Sequence, residues 1–192
     1  MVFDIKNSYV LGIDPGIYGA GCIVSLDGKQ TKCFLLPMRV NTEKTKVLDT
    51  LKLYNTLERH KDKIYFCIVE KPIYMPHQSV KSTFKVGEIF GGIVGVLDLL
   101  EVPVTYVPPK EWQKGVLYDR TEADIKEKSI AKALEIVSEL PVTHRHKRSG
   151  LADAVCIAEY GRQLYLSNFV HPHQQKGEKE FEYVFAEGKG GL

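Results

Sequence analysis

The sequence predicts an α/β protein built on one mixed sheet, and three observations carry that prediction. Short apolar runs bounded by turn residues read as buried strands. Three of these runs open the chain with only tight turns between them, the pattern of antiparallel hairpins. The later runs alternate with helical segments, the pattern of parallel strands joined by crossovers.

Taken in order, the strands "SYVLGID" (8–14), "GAGCIVSLDG" (19–28) and "TKCFLLP" (31–37) come first, the second closing on the turn pair Asp27-Gly28. From Thr45 to His60 the apolar residues Val47, Leu48, Leu51, Leu53, Tyr54 and Leu57 recur at helical spacing. "IYFCIVEKP" (64–72) is a fourth strand, and "STFKVGEIFGGIVGVLDLL" (82–100) a long helix with Gly87, Gly91 and Gly95 four apart. That spacing gives one face without side chains, suited to close packing against the sheet or a second subunit. "VPVTYVPP" (102–109) is a strand closed by prolines, followed by a polar segment (110–124) with the only tryptophan. A helix over 124–140, a basic turn-rich linker over 141–150 and a last helix over 151–166 complete the order β-β-β-α-β-α-β-α-α.

The 192 residues, 44% apolar and 10% aromatic, suffice for one full-size core. A formal charge of +2 excludes a global polycation, so nucleic-acid binding would rest on local patches. Cys22, Cys33, Cys67 and Cys156 lie in apolar segments without Cys-x-x-Cys spacing, which reads as reduced, buried thiols. The start "MVFDIKNS" lacks a basic region followed by an apolar one, and no apolar run approaches the roughly 18 residues of a membrane span. A cytoplasmic protein without membrane contact is expected.

The first and fourth strands each end on an acid, Asp14 and Glu70, and each acid is followed at once or nearly so by a proline. Burying a carboxylate is costly unless a proton, a cation or hydrogen-bond donors compensate it. Parallel neighbouring strands would bring both acids to one edge of the sheet. Asp153 stands early in the last helix, amid the small apolar residues of "ADAVCIA" that suggest a face lying on the sheet. Three carboxylates meeting there would repel one another unless hard cations neutralise them. All-oxygen ligation favours Mg²⁺ or Mn²⁺ over zinc, and two such ions about 3.5–4 Å apart would suit phosphodiester hydrolysis. Each acid taken singly also fits a helix cap or a partner of lysine.

"GIDPGIYGAG", "IVEKP", "STFKVGEIFGGIVGVL", "VTYVPPKEWQKGV", "EKSIAKAL" and "SGLADAVCIAEYGRQ", in this order over residues 8 to 165, resemble the RuvC-type Holliday junction resolvases, most of all their phage and chloroplast branches. The resemblance implies an RNase H-like fold and a homodimer. It also implies divalent-metal-dependent paired nicking of four-way DNA junctions, with Asp14, Glu70 and Asp153 as catalytic metal ligands. Residues 1–166 would form the nuclease domain and 167–192 a flexible tail, in which "EFEYVF" is the segment able to form a strand or dock on a partner. The family's fourth ligand, an acid or histidine shortly before the last acid, is replaced here by "KRSG" (147–150). Ser149 shares a helix face with Asp153 and could ligate through a water, whereas His146 would reach the site only if the linker folds back.

Lys114 and Lys128 match positions where the resembling family presents lysines to junction DNA. Lys126 and Lys132 lie near Lys128, and Arg145, Lys147 and Arg148 cluster beside Asp153. Phosphate contacts of this kind supply salt-sensitive affinity; the alternative for each lysine is a solvated helix face. In the loop after Glu70, Tyr74 is placed to stack on an unpaired base, as an aromatic near here does in the resembling family, or else to pack beneath the loop. The pairs His144/His146 and His171/His173 read as surface histidines.

Three rivals stand beside the resolvase reading. Actin-like ATPases and sugar kinases share a glycine turn after an acidic strand but need two such domains. Another RNase H-like nuclease would act on RNA or on other branched DNA. A junction-binding relative would have lost turnover together with its fourth ligand.

Overall fold

The computed structural model describes residues 8–73, 79–117 and 124–169. Seven strands and five helices follow one another as β1 (Tyr9–Asp14), β2 (Ala20–Ser25), β3 (Thr31–Leu35), β4 (Met38–Val40), β5 (Lys46–Leu48), α1 (Thr50–Glu58), β6 (Ile64–Glu70), α2 (Val80–Leu99), β7 (Val104–Val107), α3 (Pro109–Val116), α4 (Ile125–Ile136) and α5 (Arg145–Phe169), with one 3₁₀ turn at Lys61–Lys63. Five strands form the main sheet in the order β3-β2-β1-β6-β7. β1, β2 and β3 are antiparallel neighbours, and β6 and β7 continue the sheet in parallel with β1. The mixed α/β sheet expected from the sequence is present.

Alternation along β1 sorts the core into two layers. Leu11 and Ile13 face α1 and α2, whose Leu53, Leu57, Ile89, Ile93 and Leu97 are fully buried against them. Val10, Gly12 and Asp14 face α5 instead. Here helix and strand lie so close that a Cβ on Gly12 would run into the Ala158 backbone. Ala20, Cys22 and Val24 of β2 pack on the small residues Ala152, Ala154 and Ala158 of the same helix. α4 and α3 flank α5, with Trp112 buried between β7 and α5.

Three departures from the sequence reading matter for the site. The stretch before α1 is not helical: β4 and β5 form a separate hairpin, and α1 starts only at Thr50, where the Asp49 carboxylate accepts from the Lys52 amide as its N-cap. The polar segment after β7 begins as a helix, α3, with a proline in its first turn. The basic stretch 145–150 is no linker but the opening of α5, which runs to Phe169, three residues past the expected domain boundary. The four cysteines are free thiols, and Cys22 and Cys33, paired across β2 and β3, have their sulfurs 2.7 Å apart. No helix among the described residues is long and apolar enough to cross a membrane.

Candidate active site

Ile13 pairs in parallel with Val69, so the next residues, Asp14 and Glu70, end their strands side by side at one edge of the sheet. Both belong to the alternation that faces α5, because Gly12 and Ile68, two residues earlier, pack on that helix. α5 supplies Asp153 from the turn after Gly150. Gly150 is the point of closest approach: a Cβ there would collide with the Tyr18 carbonyl and lie 3.3 Å from Asp14 Oδ2. Only glycine lets the helix settle against the β1–β2 turn next to the carboxylate.

All three acids are half-buried, and each is harder to ionise than usual. Burial, reinforced by the charges of Asp153 and Glu70, pushes Asp14 well above the carboxylate range, while Lys126 acts against the shift. Burial raises Glu70 to about 7; a hydrogen bond from Trp112 opposes the rise and Asp153 adds to it. Burial raises Asp153 to about 6, opposed by Ser129 and Lys126. The Ser129 hydroxyl is fully buried and completes no well-formed hydrogen bond among the described residues, yet it lies near enough to Asp153 to favour the ionised carboxylate.

Trp112 Nε1 donates to Glu70 Oε2 at 2.6 Å. β7 ends level with β6, Glu70 pairing with Val107, so the helix that starts two residues later brings its buried indole to the carboxylate. The bond holds one carboxylate oxygen and fixes the orientation of the other. Glu111, one residue earlier, accepts from Tyr160 Oη of α5 at 2.9 Å and ties α3 to the site's supporting helix.

The donor chemistry fits hard divalent cations: three carboxylates of raised pKa, with Lys126 as the cation acting on two of them. As the side chains stand, no three His, Cys, Asp or Glu residues among those described are gathered tightly enough to hold one ion, so the carboxylates would have to close in on binding.

The other described site residues fall on α3, α4 and the first turns of α5. Ser149 is buried one helical turn before Asp153, so "KRSG" does lie on the same helix as the acid. Arg145 and Lys147 are exposed; Arg148 is half-buried, its Nε without a partner among the described residues. His146 stacks on Tyr18 of the β1–β2 turn. Lys114 is exposed on α3, and Lys126 and Lys128 share the first turns of α4, where Lys126 is the one whose charge reaches the acids. Tyr74 and the tail beyond 169 lie outside the described residues. Trp112, Ser129 and Gly150 escaped the sequence reading as site residues. The only tryptophan, placed just after a strand end, was the available signal for the first.

Known structures agree with this architecture. A Thermus thermophilus RuvC in complex with a Holliday junction substrate superposes with a TM-score of 0.56 at 21% identity, over 84% of this chain and 96% of that one. A second Thermus thermophilus RuvC structure gives 0.54 at 23% identity, over 81% and 96%. No family model and no curated protein sequence matches the chain. The chain has the RuvC-type, RNase H-like fold.

Proposed function

We propose that this chain is a metal-dependent endonuclease that resolves four-way DNA junctions by paired nicks, acting in DNA recombination or repair in the cytoplasm. The observation that carries the reading is the convergence of Asp14, Glu70 and Asp153, from three separate elements of a RuvC-type fold, on one sheet edge where all three are hard to ionise. Groups so perturbed and so placed favour a functional site over three unrelated structural acids.

Asp14, Glu70 and Asp153 would hold Mg²⁺ or Mn²⁺, two ions per site, with buried Ser149 placed to add a water-mediated contact. Bound there, the ions would activate a water and neutralise charge on the leaving oxygen of the phosphodiester. The chain's own part is orientation. Trp112 sets the Glu70 carboxylate, Ser129 favours the ionised form of Asp153, and Gly150 seats α5 against the turn that carries Asp14. Lys126 places a positive charge beside two of the acids, where it can meet the scissile phosphate. Lys114, Lys128, Arg145, Lys147 and Arg148 would hold flanking phosphates, and Tyr74 an unpaired base at the crossover.

Two nicks need two sites, and the open stripe of Gly87, Gly91 and Gly95 on α2 is the face on which a second copy would pack. Among the described residues nothing lies within 4 Å of a Cβ built on any of the three.

Incubating labelled four-way junction, linear duplex and RNA–DNA hybrid with Mg²⁺, with Mn²⁺ and with chelator tests the reading. Symmetric metal-dependent nicks confined to the junction support it, and cutting of the hybrid alone makes the chain a different RNase H-like nuclease. Tight junction binding without nicks makes it a binding protein, a reading favoured by the neutral Ser149 at the fourth-ligand position.

A further inference from the structure

Beside the acids lies an aromatic cluster, Tyr18 with His144 and His146, that the mechanism does not use. Tyr18, in the turn after Asp14, is 40% exposed. Its ring stacks with His144 and with His146, at centroid distances of 5.4 Å in both cases. The two imidazoles are themselves 5.8 Å apart. Lys46 of β5 reaches across from the small hairpin to set its Nζ 5.7 Å from the same ring. Between the turn and the hairpin runs an open groove with apolar walls that include Ile17, Leu36 and Met38; Tyr18, Arg39, Lys46 and Lys147 also line it, and no acid does.

None of Arg39, Lys46 and Lys147 makes an ion pair among the described residues. Three cations without an ion-pair partner around an exposed ring system suit a polyanion with stackable groups. The groove is also fixed to the catalytic edge, since Gly150 packs against both the Tyr18 carbonyl and the Asp14 carboxylate. A strand whose phosphate sits at the acids therefore has this groove next along its path.

We infer that the groove between the β1–β2 turn and the β4–β5 hairpin binds the DNA strand flanking the scissile phosphate, Arg39, Lys46 and Lys147 holding its phosphates and Tyr18 stacking on a base or sugar. The assignment rests on the nuclease reading above and shares Lys147 with it, but adds Tyr18, Arg39 and Lys46, which that reading does not use. The hairpin, whose short strands form no part of the main sheet, thereby gains a use: it carries two of the three cations. Lys46 rests on the ring in the free protein and moves to a phosphate when the strand enters, uncovering the face that stacks.

The test is equilibrium binding of labelled junction, linear duplex and single strand across a salt series. It compares the wild type, the double variant Arg39→Ala/Lys46→Ala, Tyr18→Ala and Tyr18→Phe, with Lys63→Ala at the opposite end of the sheet as control. Losing two phosphate contacts should weaken junction binding about tenfold or more and flatten the log–log salt slope by about 1.4–1.8. Tyr18→Ala should weaken binding by about fivefold or more while Tyr18→Phe, which keeps the stacking face, retains it. Lys63→Ala should change nothing. Unchanged affinity and slope in the double variant, with the wild type binding junctions, overturns the groove and leaves the nuclease reading intact. Binding of duplex or single strand but not junction, lost in the groove variants, keeps the groove and removes the junction assignment. A wild type that binds none of the three removes both.

Discussion

Helices α2 and α5 are both long and both carry glycines, but those glycines meet opposite surroundings. On α5, Gly150 lies under the Tyr18 carbonyl beside Asp14, and a Cβ on Gly161 would come within 2.8 Å of Val10 and Ile68. On α2, only Gly92 of the four touches its own protein closely, its Cβ position lying 3.0 Å from Leu48, while Gly87, Gly91 and Gly95 face open space among the described residues. The same residue type thus does two jobs. In α5 it removes bulk so that a helix can press an acid into a carboxylate edge, and in α2 it leaves a smooth surface that the described residues do not cover. A substitution on α5 should therefore harm the folded chain and its chemistry, and one on α2 only what the chain assembles with.

The largest expected effect sharpens that contrast. Gly150→Ala should destabilise by about 1–3 kcal/mol or more through overpacking, and should remove junction cleavage by shifting α5 off the Asp14 turn. Thermal melting and nicking assays measure both. Gly91→Ala should leave melting of the monomer unchanged or raised by up to about 1 kcal/mol through helix propensity, while weakening self-association in sedimentation. Equal loss of melting temperature in the two variants breaks the comparison.

Next in size is Trp112→Phe, which keeps a ring but deletes the donor to Glu70. The divalent-ion concentration needed for half-maximal cleavage should rise about tenfold or more, in line with other losses of a ligand-orienting partner. A fall in melting temperature with no change in metal dependence would mean the indole serves packing alone.

The third effect concerns pH. Glu70 and Asp153, at about 7 and about 6, hold protons in the folded protein that the unfolded chain releases. Their contribution to metal-free stability is therefore full in acid and is lost as pH rises from about 4 to about 7. Melting of the metal-free protein should decline across that window, and the decline should be shallower in Glu70→Gln. Mg²⁺, which competes with these protons, should raise the melting temperature more above pH 7 than below pH 6. A metal-free stability that climbs with pH, or a Glu70→Gln profile that parallels the wild type, contradicts the assignment.

The smallest effect is a gain. Ser149→Asp sets a carboxylate one turn before Asp153 and should lower half-saturation by Mg²⁺ a few-fold while costing metal-free stability through added repulsion. An unchanged metal titration would show that position 149 does not face the ions.

Much of this arrangement was legible in the sequence because its signals are local. Runs such as "YVLGID" and "IYFCIVE" announce buried strands, and a carboxylate ending each marks the edge where something must balance it. The β4–β5 hairpin was not legible, since strands of three residues carry no alternation and Val47 and Leu48 extend the helical periodicity of α1 backward; the Asp49 cap was the one local sign of the true start. The opening of α5 was hidden for the opposite reason. "RHKRSG" has no apolar period, and its helix forms where Ser149 and Gly150 are buried against another part of the chain. The bond between Trp112 and Glu70 spans 42 positions, and the stack of Tyr18 on His144 and His146 joins the β1–β2 turn to the start of α5, far apart in sequence. Such pairings are set by the sheet order, which no single segment encodes.

The measurement that bears most directly on the central claim is the rate of junction nicking as a function of Mg²⁺ concentration for the wild type and for Asp14→Asn. The account predicts saturable, metal-dependent nicking by the wild type and a loss on the order of 10²–10³-fold in the variant with its fold intact. Nicking that proceeds in chelator, or that survives in Asp14→Asn at the wild-type rate, would contradict it.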